Sequence, residues 1–265
     1  MVYSPAQRCL DIVELLADAP DGIALSAISL RLGVPKSATH RFLAVLAARG
    51  FVRQDPLTQH YRLTLKLSAL GARFLAGTHL TDAAQPVLDA LAARTGELAR
   101  LAVVEGRGLT WVAKAQGALS GLRYDPDAGR DVVLHATATG KAWLASLSED
   151  AALSIVARRG FPAAGMGPRV AQTLDQFRRE LRETRRRGYG VAVDEGAPGV
   201  AAVAAAVRER AAADAPVVAT VSVAGPLSRM DAARRTELGE QVVSAAQELA
   251  DVWPVRMRLI AEHAA

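Results

Sequence analysis

Residues 30–46 read LRLGVPKSATHRFLAVL, and this stretch decides the fold of the first part of the chain. Gly33 tolerates the left-handed conformation that ends many helices, so the sequence predicts one short helix before it and another over residues 35–48. At 100° per residue, Leu43 and Leu46 fall on one side of the second helix, while small, polar and basic residues face the other way. Two short helices joined by a tight turn are therefore expected.

The segments on either side add a further helix and a hairpin. Ser4, Pro5 and Gln7 have the pattern of a capping box, with a hydroxyl at the N-cap, proline at N1 and glutamine at N3, which predicts a helix near the start of the chain. Two short strands, residues 51–54 and 59–63, flank a proline-containing turn. Three helices followed by such a hairpin are typical of a winged helix-turn-helix.

The outward face of the third predicted helix suits the major groove of DNA. Its serine and alanine residues allow close approach, while Lys36 and Arg41 are long enough to reach guanine edges or phosphates. The other interpretation is a small helical bundle with a solvated charged face. Charge favours DNA, because residues 1–76 carry nine lysine and arginine residues against five aspartate and glutamate residues, a net charge of +4 out of +5 for the whole chain.

Composition narrows the class of protein. With 265 residues, 51% hydrophobic and 22% charged, the chain is long and apolar enough for two folded domains. It has no run of about 18 apolar residues and no signal peptide, so we expect a cytoplasmic protein without a membrane partner. Its one cysteine, Cys9, excludes an internal disulfide framework. The histidines lack metal-ligand spacing, so no metal and no cofactor are predicted.

The rest of the chain alternates helices and strands. Consecutive strands with hairpin-like connections favour an antiparallel sheet, so the predicted fold class is mixed α/β of the α+β type. We divide the chain into a winged helix-turn-helix domain at residues 1–63, a linker helix at 64–78 and a second domain at 79–265. The elements predicted in the second domain are helices over residues 81–94, 140–147, 149–158, 173–187 and 230–252, and strands over residues 98–104, 109–113, 189–193, 199–207 and 216–223.

Four landmarks make the chain similar to one known family. They are GVPKS at residues 33–37 followed by His40-Arg41, the wing with Gly50 and residues 61–63, HATATGKA at residues 135–142, and Gly188-Tyr189 followed by SVAGP at residues 222–226. In this order and spacing they resemble the IclR family of transcriptional regulators over almost the whole chain. The resemblance implies a GAF-like effector-binding domain, with an antiparallel sheet flanked by helices. It also implies homodimers or homotetramers on a palindromic double-stranded DNA operator, and ligand-responsive repression of a catabolic operon.

The residues expected to contact DNA lie on the second and third helices and on the wing. Backbone amides at the N-terminus of the third helix can also hold a phosphate. Contact of Arg41 with a base and contact with a phosphate both remain open. The expected DNA-binding residues are Ser26, Lys36, Ser37, Thr39, His40, Arg41, Thr58, Gln59, His60 and Tyr61.

The resemblance implies an effector site around residues 138–140, where relatives that bind small carboxylates present helix amides to the acid group. Three positions that are polar in those relatives are Ala192, Ala202 and Ala224 here. Fewer hydrogen-bonding side chains favour an aromatic or largely apolar carboxylic acid or derivative, unless the acidic pair at residues 194–195 supplies the lost polarity. The implied effector-binding residues are Leu122, Arg123, His135, Ala138, Thr139, Gly140, Trp143, Ala192, Asp194, Ala202, Ser222 and Ala224.

Rival interpretations stay open for the whole chain and for single residues. The second domain can be an enzyme, although no catalytic triad, carboxylate pair or catalytic cysteine stands out, and we predict no catalytic residues. The chain can also be a non-specific nucleoid-type DNA binder without effector control. His135 can be a structural histidine instead of a ligand contact. Trp143 is the tryptophan best placed to line a pocket, because it lies one turn into the helix at the implied effector site.

Overall fold

The computed structural model describes residues 4–124, 132–160, 165–210 and 215–253. By its internal contacts the chain divides into two compact units, residues 1–77 and residues 78–265. Each unit has its own hydrophobic core, as expected for separate domains. Within the described ranges, no helix is long and apolar enough to cross a membrane.

The first part of the chain consists of helices and one hairpin, with the helix-turn-helix arrangement that was predicted. Its elements are α1 (Pro5–Ala17), α2 (Leu25–Leu32), α3 (Lys36–Ala48), β1 (Val52–Gln54), β2 (Tyr61–Leu63) and α4 (Lys66–Thr78).

Local sequence signals define the ends of α1 and α2 as predicted. Ser4 Oγ accepts a hydrogen bond from the Gln7 amide at 3.2 Å, and Gln7 Oε1 accepts one from the Ser4 amide at 2.8 Å, so the capping box is complete. Gly33 ends α2 with a φ of 61°, a conformation that glycine adopts at little cost. The first signal fixes the start of α1, and the second fixes the end of α2.

Apolar residues from the three helices and the hairpin form one core. Ile12, Ile28 and Leu43 are fully buried at its centre. Burial of each such side chain contributes about 1.5–3 kcal/mol. The backbone of Ile23, between α1 and α2, pairs with Tyr61 and so connects the hairpin to the helices. As a result, packing fixes the orientation of α3 and leaves its polar face outward.

The second unit contains a five-stranded sheet with helices on both faces. The strand order is β4-β3-β7-β6-β5, and every neighbouring pair is antiparallel, which confirms the predicted α+β class. The elements are α5 (Leu80–Thr95), β3 (Leu98–Glu105), β4 (Gly108–Gln116), α6 (Ala138–Leu144), α7 (Glu149–Arg159), α8 (Leu174–Arg187), β5 (Gly190–Val193), β6 (Val200–Arg208), β7 (Val217–Pro226), a 3-10 turn (Leu227–Arg229) and α9 (Ala232–Asp251).

The two faces of this sheet pack against different helices. On β3, Ala99, Leu101 and Val103 belong to the core shared with α5 and α9. Arg100 and Ala102 point the other way, towards the side of α6, α7 and α8. Strands β6 and β7 alternate in the same manner, because successive side chains of a strand point to opposite faces. Even-numbered residues of three strands therefore face α6.

The helix starts of the second unit differ from the prediction by at most two residues. Thr137 is the N-cap of α6 and its Oγ1 accepts from the Gly140 amide at 3.1 Å, so α6 begins two residues before the predicted start. At α8, Thr173 caps the helix by accepting from the Gln176 amide at 3.2 Å. The Gln176 side chain accepts from the amide of Gln172 instead of Thr173, so Thr173 and Gln176 form only half of a capping box.

Candidate functional site

The outward face of α3 carries exposed polar and basic side chains. Lys36, Ser37, His40 and Arg41 are all exposed. The N-cap residue is Pro35, which makes no side-chain hydrogen bond to the helix, so no side chain caps the first amides of α3. An uncapped helix N-terminus beside two basic residues suits a phosphate group.

Thr39 does not belong to this face. It is fully buried, and its hydroxyl donates to the Pro35 carbonyl at 3.2 Å. The helical projection also places it on the side of Leu43 and Leu46, which pack into the core. The prediction that Thr39 contacts DNA is therefore wrong.

Asp55 organises the tip of the wing. Its Oδ1 accepts from the amides of Leu57 and Thr58, both at 3.0 Å, and its Oδ2 lies 3.1 Å from Arg62. The two backbone hydrogen bonds favour the carboxylate and lower the pKa of Asp55. Thr58 and Gln59 are exposed at the tip, which places them on the surface as the prediction requires.

Of the remaining predicted DNA contacts, Tyr61 is corrected by the structure. Its side chain is only 6% exposed and belongs to the core of the first unit, so it cannot also lie against DNA. Ser26 is exposed near the start of α2, and His60 is half-buried on the wing. These two remain accessible to a partner.

A cavity, called the Arg100 pocket below, lies between the start of α6 and the even-numbered residues of the sheet. The space in it that a water molecule can occupy is about 60 Å³, and the volume is about 440 Å³ when the space that opens to solvent is included. Six of the predicted effector-binding residues line it. These are Ala138, Thr139, Ala192, Ala202, Ser222 and Ala224.

Arg100 is the charged group of this pocket. Its guanidinium carbon lies 3.8 Å from the ring centre of Trp111 and 5.8 Å from that of Tyr124, and its Nε is buried without a hydrogen-bond partner among the described residues. Burial lowers the pKa of Arg100 and the interaction with Tyr124 raises it, but a guanidinium stays protonated at neutral pH. Ser222, its register partner on β7, also has a buried Oγ without a partner. A cation and an unsatisfied hydroxyl on adjacent strands suit an acidic ligand.

The N-terminus of α6 offers less to an anion than the resemblance implied. The Gly140 amide already donates to Thr137 Oγ1, and α6 is only seven residues long. Ala138 and Thr139 still line the pocket. Arg100 is therefore the group in this pocket that best suits an anion.

Three predicted effector residues lie in loops, outside the pocket lining. Leu122 and Arg123 are exposed on the segment that leads to Tyr124. Asp194 has a φ of 58°, and its Oδ1 accepts from the Gly199 amide at 2.7 Å, so its carboxylate closes a turn instead of facing an effector. None of these three side chains contributes to the lining of the Arg100 pocket.

Three further predicted effector residues pack on the far side of α6 or deeper in the unit. His135 lines a different cavity and has its pKa lowered by burial and by the nearby Lys141. Gly140 backs directly onto Leu134, where a Cβ would lie 2.1 Å from the carbonyl oxygen. Trp143 is buried in a separate apolar cluster, because it lies about 6 Å further along the helix than Thr139. All three lie outside the lining of the Arg100 pocket.

Sequence reasoning missed more than half of the pocket lining. A detectable signal existed for Arg100, which is a charged residue inside the strand LARLAVVE, where every other residue before the terminal Glu105 is apolar. For the others the signal was absent, since they are small or lie in loops whose position depends on the whole fold. The missed residues are Arg100, Tyr124, Ala136, Thr137, Gly196, Ala197 and Val200.

Two larger cavities, of about 360 and 500 Å³, carry no functional argument. The first contains His135 as its one predicted effector-binding residue, and the second, lined mainly by residues of β6 and α9, contains none. Among the residues that the structure describes, no three His, Cys, Asp or Glu side chains are grouped as metal ligands would be.

Comparison with protein families matches both units. Residues 5–56 match the IclR helix-turn-helix domain, and residues 72–251 match the C-terminal domain of the bacterial transcriptional regulator IclR. The transcriptional repressor IclR of Escherichia coli K12 is 30% identical over 243 residues, which cover 91% of this chain and 87% of that protein. The similarity therefore extends through both units.

Solved structures with the same fold agree with these matches. An IclR transcriptional regulator from Alicyclobacillus acidocaldarius has a TM-score of 0.79 at 24% identity and covers 94% of this chain and 98% of its own. An IclR homolog from Microbacterium hydrocarbonoxydans, complexed with 4-hydroxybenzoate, has a TM-score of 0.73 at 21% identity and covers 97% of this chain and 100% of its own. At these identities the likeness shows the fold alone.

Proposed function

The chain belongs to the IclR family of bacterial transcriptional regulators, and we propose that it controls a catabolic operon in response to an aromatic carboxylic acid bound in the Arg100 pocket. In this proposal α3 and the wing bind a palindromic operator, and the second unit is a binding domain without catalytic activity. Effector binding changes the affinity for the operator.

The DNA-binding part of the proposal rests on the exposed face of α3. Lys36 and Arg41 supply positive charge, and Ser37 and Ala44 are small enough to let the helix approach the floor of the major groove. The net charge of +4 over residues 1–76 favours a polyanionic partner. A bidentate arginine–guanine contact discriminates against other bases by about 1–3 kcal/mol, so Arg41 is the residue best suited to read sequence.

The observation that carries the effector class is a half-buried arginine, with a buried Nε, in a pocket with alanine walls. A guanidinium binds a carboxylate through two parallel hydrogen bonds, while Ala192, Ala202 and Ala224 offer apolar surface and no hydrogen-bonding side chain. An acid group attached to an apolar ring satisfies both features. The bound 4-hydroxybenzoate of the Microbacterium hydrocarbonoxydans homolog supports an aromatic acid as the ligand class.

The small volume of the pocket limits how an aromatic acid can bind. A cavity that binds benzene measures about 150 Å³, whereas the space that a water molecule can occupy in the Arg100 pocket is about 60 Å³. An aromatic acid must therefore also occupy the mouth, and its carboxylate competes with Tyr124 for the guanidinium of Arg100. Displacement of Tyr124 would then be the first structural response to the effector.

A homo-oligomer, either a dimer or a tetramer, would present two copies of α3 to the two halves of the operator. We propose that α4 transmits effector binding to the spacing of these copies. Coupling free energies between two sites are typically about 1–3 kcal/mol, which corresponds to a change in operator affinity of about 5- to 150-fold.

Titration calorimetry tests the effector class directly. We expect 4-hydroxybenzoate and benzoate to bind and glyoxylate to bind at least tenfold more weakly, and equal or reversed affinity would refute the aromatic assignment.

Chromatography of 4-hydroxybenzoate after incubation with the protein tests the rival hypothesis that the second unit is an enzyme, which predicts a product. Sequencing of genomic DNA fragments retained at near-physiological salt tests the rival nucleoid binder, which predicts diffuse retention and no discrete palindromic sites.

A further inference from the structure

A buried ionic cluster lies directly behind the Arg100 pocket. Lys141 of α6 is 2% exposed, and its Nζ donates to Glu195 Oε2 at 2.5 Å and to the Val191 carbonyl at 3.2 Å. Glu180 of α8 lies 2.7 Å from the same Nζ, as an ion pair without hydrogen-bond alignment. We call Lys141, Glu180 and Glu195 the Lys141 cluster. It connects α6, α8 and the end of β5.

The buried charges of the Lys141 cluster are an expensive way to stabilise the fold. One ammonium faces two carboxylates, with Glu195 only 7% exposed, and desolvation of buried ions costs several kcal/mol per ion. Apolar residues of similar volume are often as stable or more stable at such positions. The Lys141 cluster therefore suits a role in holding the neighbouring elements in place better than a role in stability alone.

The cluster joins two walls of the pocket. Glu195 stands between Asp194, whose side chain closes the turn at residues 194–199, and Gly196, which lines the pocket. Glu195 Oε1 also accepts from the Val193 amide at 3.1 Å. Lys141 lies on the helix that supplies Ala138 and Thr139 to the opposite wall. The Lys141–Glu195 contact thus fixes the turn against α6.

The turn at residues 194–199 lies very close to the segment before α6. A Cβ at Gly196 would lie 3.0 Å from the Ala136 carbonyl oxygen, so the turn reaches the segment before α6 at backbone distance. We propose that the Lys141 cluster is a positioning cluster: it holds the turn at residues 194–199 against α6 and so sets the shape and the ligand affinity of the Arg100 pocket. The part concerning affinity rests on the proposed function.

Hydrogen exchange of the ligand-free protein tests the positioning role without any effector. We expect Glu195→Gln to raise exchange in peptides covering residues 194–199 at least tenfold, while peptides from β3 and β4 keep their protection. Glu180→Gln retains the Lys141–Glu195 contact and should raise exchange in the turn less. Arg182→Met is the matched control, because it removes an exposed ion pair with Glu149 on the same side of the sheet. It should leave the turn unchanged.

Lys141→Met provides the second variant. We expect it to raise exchange in the turn and to weaken binding of 4-hydroxybenzoate at least tenfold, more than Arg182→Met does. If Glu195→Gln leaves the turn as protected as in the wild type, the positioning role is overturned, even where Lys141→Met destabilises the whole unit. If the wild type binds no aromatic acid, the proposed effector class fails, while the exchange result still decides the role of the cluster.

Discussion

Replacement of Arg100 by methionine should abolish selective recognition of an acid group. Methionine keeps an unbranched side chain that can still lie against Trp111, whereas the charge and the N–H donors of the guanidinium are removed. Because Arg100 Nε has no hydrogen-bond partner among the described residues, the effector carboxylate can accept from it without breaking a hydrogen bond at that nitrogen. The change therefore isolates the contribution of the guanidinium to binding.

The size of the effect follows from the partial burial of the pair formed by Arg100 and the effector carboxylate. Hydrogen bonds to charged groups contribute about 1.5–3 kcal/mol net, and removal of one member of a buried charge pair costs about 2–5 kcal/mol. The overlap of these ranges, about 2–3 kcal/mol, corresponds to an increase in the Kd for 4-hydroxybenzoate of about 30- to 140-fold. The neutral amide, 4-hydroxybenzamide, lacks the anionic group, so its Kd should change less than about threefold.

Titration calorimetry of both ligands with both proteins gives the interaction energy between Arg100 and the carboxylate. Arg123→Met is the matched control, because Arg123 is exposed near the same segment and does not line the pocket. If Arg100→Met weakens acid and amide equally, the arginine only supports the shape of the pocket. If Arg123→Met has the larger effect on the acid, the assignment of the anion site is wrong.

Three further changes test the DNA-binding unit. Arg41→Ala should weaken operator binding and relax sequence preference if Arg41 contacts a base, whereas a phosphate contact predicts equal weakening on all DNA and a smaller salt slope, measured by fluorescence anisotropy. Thr39→Val should lower the free energy of unfolding by about 1 kcal/mol and leave operator affinity unchanged, since its hydroxyl is bonded inside the protein. Asp55→Ala should speed amide exchange at Leu57 and Thr58. Because the pKa of Asp55 is lowered in the fold, its stabilisation of the wing is present above the ordinary pKa and is lost as the pH falls through the lower folded value.

The first unit could be predicted largely from its sequence because its signals are local. The capping box at Ser4 and the left-handed Gly33 each depend on residues within one turn of a helix. Thr39 and Tyr61 were nevertheless assigned to the DNA-facing surface. Their polar atoms suggested contact, but tertiary packing buried both side chains.

The pocket could be predicted only in part because distant strands build it. Arg100 and Ser222 become neighbours through the register between β3 and β7, which no local pattern specifies. Trp143 was expected in the lining from its place on α6, but the pocket ends within the first turn of that helix. The sequence predicted no role for Lys141, because its partners on α8 and beyond β5 are far from it along the chain.

Successive side chains along β3, β6 and β7 point to opposite faces of the sheet, so substitutions on these strands have two different consequences. Substitutions at odd-numbered positions alter the packing under α5 and α9 and so change whether the unit folds. Substitutions at even-numbered positions such as Ala202 and Ala224 change the chemistry offered to a ligand and leave that packing in place. A descendant of this protein can therefore acquire a pocket of different polarity through a few exchanges of alanine for polar residues, without first losing its fold.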